Sequence, residues 1–364
     1  MLRSGLLHLA QGTRLRRATL APRLAAGLGL LGLLATAAGC GTTASGGSGG
    51  DPVTLHLGYF PNLTHASALV GVKNGYFANA LGAKVTLETH TFNAGGDAVI
   101  AILSGSIDAS FVGPNPTTNA FVQSHGQAVR VIAGATSGGA LLVVRPDITS
   151  PAGLKGKKIA DPQLGGTQDI ALRWYLKAQG FKTDTAGGGD VSVLPEDNSQ
   201  TLTAFKQGQI DGAWVPEPWA SRLVIEGGGR ILVDERDLWP NGRFVTTNLI
   251  VSTQFLHDHP KRSRALLEGL YNANAFMSSN PSEAQSITNR AVQDITGKKL
   301  ADGVVSAAWA HMTFTLDPLA STLREAASHA HDLGLLANVN LNGLYDLSLL
   351  NEVLAEHSQP PVTA

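Results

Sequence analysis

Four short stretches place neutral hydrogen-bonding groups where a predicted strand hands over to a helix or a crossing: PNLTH with Asn62 and Thr64, GPNPTTN with Asn115 and Thr117, TSGG with Ser137 and Gly138, and LGGTQD with Thr167 and Gln168. A helix N-terminus presents unpaired N–H groups and the positive end of the helix dipole, so hydroxyl and amide side chains there build a nest for an anion. A small oxyanion suits that nest. It offers several acceptor oxygens, and neutral donors release it more easily than a buried pair of arginines would. Each stretch also has a structural use: Thr64 and Thr167 as N-caps, Asn115 and Thr117 as turn residues, Gly138 as a hinge.

A fifth stretch, IDGAWVPEPWASR (210–222), runs a short apolar strand into Glu217, fenced by two prolines and two tryptophans. Proline gives no N–H to a sheet, so Pro216 ends the strand and Pro218 sits in the first turn of a helix. A carboxylate repels a bare oxyanion; facing a ligand, Glu217 would meet an ammonium, hydroxyl or amide donor on it. Otherwise it caps its own helix or pairs with Arg222. Trp214 and Trp219 could line an apolar slot, although Trp214, inside a strand, also reads as core.

Placing these stretches together requires a regular scaffold. GSIDASFVGPNP (105–116) lines up with GQIDGAWVPEPW (208–219) without a gap, two copies of one strand-and-junction idea. Around the first copy, period-2 apolar runs at 53–60, 83–90 and 129–135 alternate with helical patterns at 64–76, 94–104 and 117–124. The rhythm repeats with strands at 157–161, 191–195 and 230–234, and helices at 167–179 and 201–207. A return strand at 243–252 follows, and 257–357 reads helical, with starts marked by Pro260 and Pro281. The expected fold is α/β: lobe 1 from 52–141 plus 247–364, lobe 2 from 142–246, two crossing strands between them, and the helical C-terminal segment packed on the first sheet. Ligands of open α/β sheets sit beyond the carboxyl ends of the strands, so both I-D strands would end at one cleft.

The chain has 364 residues and a net charge of −1, with 43% hydrophobic and 15% charged residues, enough for two cored lobes. Residues 1–39 carry five arginines and no acid, ending in an apolar run from 24 to 39 too short to span a bilayer, which reads as a signal peptide. Gly27, Gly29 and Gly32 within it have dinucleotide-motif spacing but no strand before them, so the match is discarded. Cys40, the single cysteine, is followed by a Gly/Ser/Thr tether over 40–51. Past residue 39 the chain keeps 22 basic against 28 acidic side chains, a charge of −6 that argues against nucleic acid as partner. The His pairs of HDH (257–259) and HAH (329–331) lack a supporting Cys or carboxylate cluster, and the serines and threonines above form no G-x-S-x-G motif. No catalytic residue, metal or cofactor is expected.

GYFPNLTHASALVG, FNAGGDAVIAILSGSIDASFVGPNP, AGATSGGALLVVRP, LKGKKIADPQLGGTQDIALRWYL and QTLTAFKQGQIDGAWVPEPWASRLV resemble, in order over 53–290, the sulfonate, nitrate and taurine group of ABC-importer substrate-binding proteins, aliphatic sulfonate-binding lipoproteins above all. The resemblance implies a two-lobe, type II-like periplasmic-binding fold. It implies a monomer that closes on a small anionic ligand, with Thr167 and Gln168 where the family holds the oxyanion, and delivers it to a permease and ATPase. The surroundings of Cys40 resemble a bacterial lipobox, with Ala37 where Leu is usual, implying a lipidated N-terminus held at the membrane; an ordinary signal cut near Ala38 is the alternative. YFPNLTHASALVG is also similar to the opening of proteins that handle thiamine pyrimidine precursors, and nitrate, bicarbonate or a sulfate ester stay open as ligands. A rival of another class, an exported enzyme with Glu217 or His65 as acid/base, requires two such groups converging on one substrate atom.

Overall fold

The computed structural model describes residues 53–364, so the signal, Cys40 and tether readings lie outside the described residues. Two sheets organise the chain. The first contains β1 (Val53–Tyr59), β2 (Val85–Thr91), β3 (Ala109–Val112) and β4 (Val129–Gly138); the second contains β5 (Ala140–Val144), β6 (Lys158–Asp161), β7 (Ser192–Pro195), β8 (Gly212–Pro216) and β9 (Arg230–Asp234). The chain then returns to the first sheet with β10 (Val245–Ser252) and β11 (Met312–Phe314). Strand order is β2-β1-β3-β10-β4-β11 in one lobe and β7-β6-β8-β5-β9 in the other.

The two sheets follow one plan. β1 lies parallel between β2 and β3, as β6 lies parallel between β7 and β8. β10 in lobe 1 and β5 in lobe 2 then run antiparallel against the third of these strands. The two I-D strands, β3 and β8, occupy equivalent places, and their aspartates do the same work. Asp108 Oδ2 accepts the His56 N–H at 2.8 Å, and Asp211 Oδ2 accepts the Lys158 N–H at 2.9 Å. Their own backbones bond to the same neighbours, Asp108 N–H to His56 O (2.9 Å) and Asp211 N–H to Lys158 O (2.8 Å). A carboxylate just before the strand thus satisfies a donor that the short ladder leaves open.

Leu55, Leu57, Phe77 and Phe111 pack with Leu266, Leu267 and Leu270 of the Pro260–Ser279 helix, so the C-terminal segment closes over the first sheet as expected. That segment is not wholly helical, because Met312–Phe314 pairs with Thr136–Gly138 as the edge strand β11. In lobe 2 the cores form around Leu142, Ile159 and Trp214 on one face and Phe205, Ala213 and Val215 on the other. Among the described residues no helix is long and apolar enough to cross a membrane.

The crossings lie side by side. β4 becomes β5 through Gly138 and Gly139, both at φ 78°, a region that costs an L side chain about 1–2 kcal/mol. The return crossing is tied to it: Gly138 N–H donates to Phe244 O at 3.2 Å, Phe244 N–H to Ser137 Oγ at 3.3 Å, and Thr246 Oγ1 to Gly138 O at 2.5 Å. A Cβ on Gly138 would also lie 2.5 Å from His311 O. Gly138→Ala is therefore expected to lower stability in urea denaturation by at least about 1–2 kcal/mol. Gly303→Ala, in the Asp302–Ala310 helix with open space around its Cβ, is the control and should be neutral or stabilising by up to about 1 kcal/mol.

Candidate ligand-binding site

Between the lobes lies a cavity of about 40 Å³ on which four helix starts converge. Lobe 1 contributes the single turn Leu63–His65, preceded by Asn62, and the Gly95–Leu103 helix; lobe 2 contributes the Thr167–Ala178 and Asn198–Gln207 helices. The lining side chains include Asn62, Thr64, His65, Gln163, Thr167, Gln168 and Asn198, and no Asp, Glu, Lys or Arg. The Thr64 N–H donates to Glu217 O (3.4 Å), the His65 N–H to Asn62 O (3.0 Å) and the Gly96 N–H to Gln163 Oε1 (2.7 Å), so an anion here would meet neutral side chains and the lobe 2 helix starts, dipoles rather than full charges. At about 10–15 Å³ for each water-sized probe, the cavity matches the head of one oxyanion.

The lobe 1 wall is held rigidly. Thr64 O accepts hydroxyl hydrogen bonds from Thr136 (2.6 Å) and Thr247 (3.1 Å), fixing the turn against β4 and β10. His65 is buried and stacks on Phe60 with ring centroids 4.4 Å apart. Its Nδ1 accepts the Phe60 N–H at 3.3 Å, which leaves the ring proton on Nε2 as a donor. Burial pushes its pKa down to about 3, so the ring is a neutral donor at physiological pH.

The lobe 2 wall rests on buried charge kept out of the cavity. Asp169 Oδ1 accepts from Arg173 Nε at 2.6 Å, and its Oδ2 accepts the Gly165 N–H at 2.8 Å. Beside it, burial and then the Asp169 charge push the Asp161 carboxyl well above the usual carboxylate range. Asp161 Oδ1 accepts the Gln163 N–H at 3.0 Å, and Gln163 reaches across the cleft, its Oε1 accepting the Gly96 N–H at 2.7 Å. The lobes therefore meet through amides at a helix start. Asn198 Oδ1 is buried without a partner, and turning that amide over would present a donor instead.

Of the residues singled out from sequence, the structure brings Asn62, Thr64, Thr167 and Gln168 to the cavity. The others have different surroundings. Asn115 Nδ2 donates to Ala326 O at 3.1 Å, Thr117 Oγ1 donates to Gly113 O at 2.8 Å, and Ser137 and Gly138 serve the crossing. Trp214 is core and donates its Nε1–H to Glu235 Oε2 at 2.8 Å. Glu217 is fully buried, accepts from Ser221 N and Oγ at 3.0 and 2.9 Å as its own helix cap, and meets His311 Nδ1 at 2.6 Å across the lobe boundary. Arg222 pairs with Glu226 instead. Sequence reading missed His65 as a donor, and Gln163 and Asn198 altogether; the last two stand in turn-forming stretches after strand ends, ADPQ and PEDN, which do not say which side chain faces the cleft.

Asn62, Asn93 and Asn198 also line a wider outer cavity of about 800 Å³, with Phe92, Leu202, Pro218 and Trp219 on its walls. Trp219 Nε1 donates to Asn62 Oδ1 at 2.9 Å, joining the lobes at the boundary between the two spaces.

Residues 48–292 match the NMT1-like family. The taurine-binding periplasmic protein of Escherichia coli (strain K12) is 28% identical over 215 residues, which are 59% of this chain and 64% of that protein. The bicarbonate-binding protein CmpA of Synechococcus is 26% identical over 267 residues, 67% of this chain and 58% of that one. In fold, the chain is similar to the alkanesulfonate-binding protein SsuA of Xanthomonas axonopodis pv. citri bound to MOPS, with a TM-score of 0.67 and 20% identity over 82% of this chain and 100% of that one.

Closure brings Gly113 against Thr167 so tightly that a Cβ on the glycine would lie 2.3 Å from Thr167 Oγ1. Gly113→Ala is expected to oppose closure and weaken ligand binding about tenfold or more in calorimetric titration, the size of an overpacking penalty of about 1–3 kcal/mol. His65 gives a pH signature. Its folded pKa, about 3, lies below the unfolded value of 6.5, so the unfolded state binds the extra proton between them. Its contribution is present above pH 6.5 and is lost at about 1.4 kcal/mol per pH unit as pH falls toward 3. Glu235 acts oppositely: burial, set against hydrogen bonds from Trp214 and Trp239, raises its pKa to about 7, so it favours the fold as pH falls from 7 toward 4.5. Wild type minus His65→Gln isolates the histidine; that stability difference should fall with acid below pH 6.5, as measured by urea denaturation across pH.

Proposed function

The chain belongs to the NMT1-like family, and from that premise we propose that it is the solute-binding component of an ABC importer, capturing a small organosulfonate between its lobes and presenting it to a permease and ATPase. The observation that carries this reading is the inner cavity, closed by both lobes and lined by neutral donors from four helix starts without a charged side chain. A sulfonate head needs several donors and no proton exchange, and neutral dipoles hold it without the desolvation of a guanidinium. The outer cavity beyond Asn62, Asn93 and Asn198 supplies room and, among polar and charged residues, an apolar wall of Phe92, Leu202, Pro218 and Trp219 for an alkyl tail. The likenesses to alkanesulfonate- and taurine-binding proteins support the same ligand class.

Glu217 no longer favours an amine-bearing ligand, because its carboxylate is spent on Ser221 and His311 and does not line the inner cavity. The pyrimidine precursor then rests on the YFPNLTHASALVG stretch, and an acid/base role in the inner cavity would fall to His65 without Glu217 beside it. A second reading, bicarbonate or nitrate, is favoured by the small inner volume and by the likeness to the bicarbonate-binding protein. Under either reading Cys40 would carry the lipid that holds the protein at the membrane.

Calorimetric titration with methanesulfonate, longer alkanesulfonates, taurine, nitrate, bicarbonate and an aminopyrimidine tests the proposal. Alkanesulfonates are expected to bind, with Trp219→Ala weakening the long-chain members selectively. Gln168→Ala, which removes a donor to a charged group, should weaken them about tenfold to a hundredfold, from a bond of about 1.5–3 kcal/mol. Binding of nitrate or bicarbonate without sulfonates would replace the ligand class; binding of the pyrimidine alone would overturn oxyanion capture.

A further inference from the structure

We propose that His56, Glu88 and His90 form a binding site for one divalent transition-metal ion of the zinc type on the outer edge of lobe 1. The three residues lie on β1 and β2, and the parallel pairing of those strands puts them together. His56 is the register partner of Glu88, and His90 stands two residues further along β2, on the same face. The register partner of His90 is Gly58, which has no side chain, and the His90 ring lies beside His56 with centroids 5.3 Å apart.

Two of the three ligand-atom separations are close to those a metal would impose. His56 Nδ1 lies 3.1 Å from His90 Nε2 and 3.5 Å from Glu88 Oε2, and all three atoms fall within 4.8 Å of one another. In a tetrahedral site with metal–nitrogen bonds of about 2.0–2.1 Å, neighbouring ligand atoms stand about 3.3–3.4 Å apart. Two imidazole nitrogens and a carboxylate oxygen form a donor set that suits Zn²⁺ and its neighbours Co²⁺, Ni²⁺ and Cu²⁺, with a fourth position left for water. His56 and Glu88 side chains are 33% and 55% exposed, so an ion reaches them from solvent.

The surroundings suit a staple. β2 is the edge of the sheet, and an ion shared by His56, Glu88 and His90 would tie that edge to β1. The Asp108 carboxylate already fixes the His56 backbone from the other side at 2.8 Å. None of the three residues lines the ligand cavity, so the proposal stands apart from the sulfonate reading.

The test uses the intact protein stripped with EDTA. Titration with Co²⁺ should give a visible absorption band of a four-coordinate ion that saturates at one equivalent and is displaced by Zn²⁺. Zn²⁺ should raise the melting temperature, and EDTA should reverse the rise. His56→Gln and His90→Gln should each lower Co²⁺ affinity tenfold or more, and Glu88→Gln, at an exposed position that folding does not depend on, should weaken it as well. Absence of the band and of the melting shift in wild type would overturn the proposal. So would binding that survives in the His56→Gln/His90→Gln double variant, which would place the ion elsewhere, for example at His257 and His259.

Discussion

The step from Gly138 to Ala140 is the constraint on which the rest depends. Within that step the chain leaves the sheet of lobe 1 and enters that of lobe 2, and only a backbone at positive φ turns so sharply without breaking either ladder. Because Phe244 and Thr246 of the return crossing bond to Ser137 and Gly138, both connections pass through one hydrogen-bonded patch. Two lobes joined at one patch keep a cleft on one side of it. The crossings therefore set which helix starts face that cleft, and local contacts such as those of Thr64 O and Asp169 fix them in place.

The site separates two electrostatic tasks. Charge is buried behind the walls, in the Asp169–Arg173 pair of lobe 2 and in the Glu217–His311 contact across the boundary, while the surface facing the cavity stays neutral. Each buried carboxylate holds backbone or side-chain donors that would otherwise wander: Asp169 the Gly165 N–H, Asp161 the Gln163 N–H, Glu217 the start of its helix. Preorganised dipoles need no rearrangement when an anion arrives, and an uncharged wall leaves no ion stranded when it departs.

How much of this was legible in the sequence follows from the range over which each feature is determined. The alternation of strands and helices and the two-lobe α/β fold are local patterns repeated along the chain, and the paired I-D strands even revealed their equivalence. Thr167 and Gln168 were legible because a glycine pair before a helical pattern marks a helix start by itself. Glu217 was misleading for the same local reason: a carboxylate between prolines at a strand end looks displayed, but Ser221 and His311, four and ninety-four residues away, turn it inward. His65, Gln163 and Asn198 became donors only through Phe60, Gly96 and the closing of the lobes, none of which has a sequence signature.

Register explains why the same limit applies to the edge of lobe 1. Along the chain His56 stands 32 residues before Glu88, farther than the spacings by which metal ligands are recognised, whereas HDH and HAH look like ligand pairs and are not matched by a third group. In a strand, neighbours at i and i+1 point to opposite faces, so an adjacent or alternate histidine says little until the partner strand is known. His257 and His329 lie instead on helices, where His257 Nδ1 contacts Asp258 at 2.8 Å and His329 stacks on Trp174 at 4.0 Å. A one-residue slip between β1 and β2 would send Glu88 and His90 to the opposite face from His56. Their meeting is thus a property of the parallel ladder, held in place by the leucines that β1 and β2 bury beneath it.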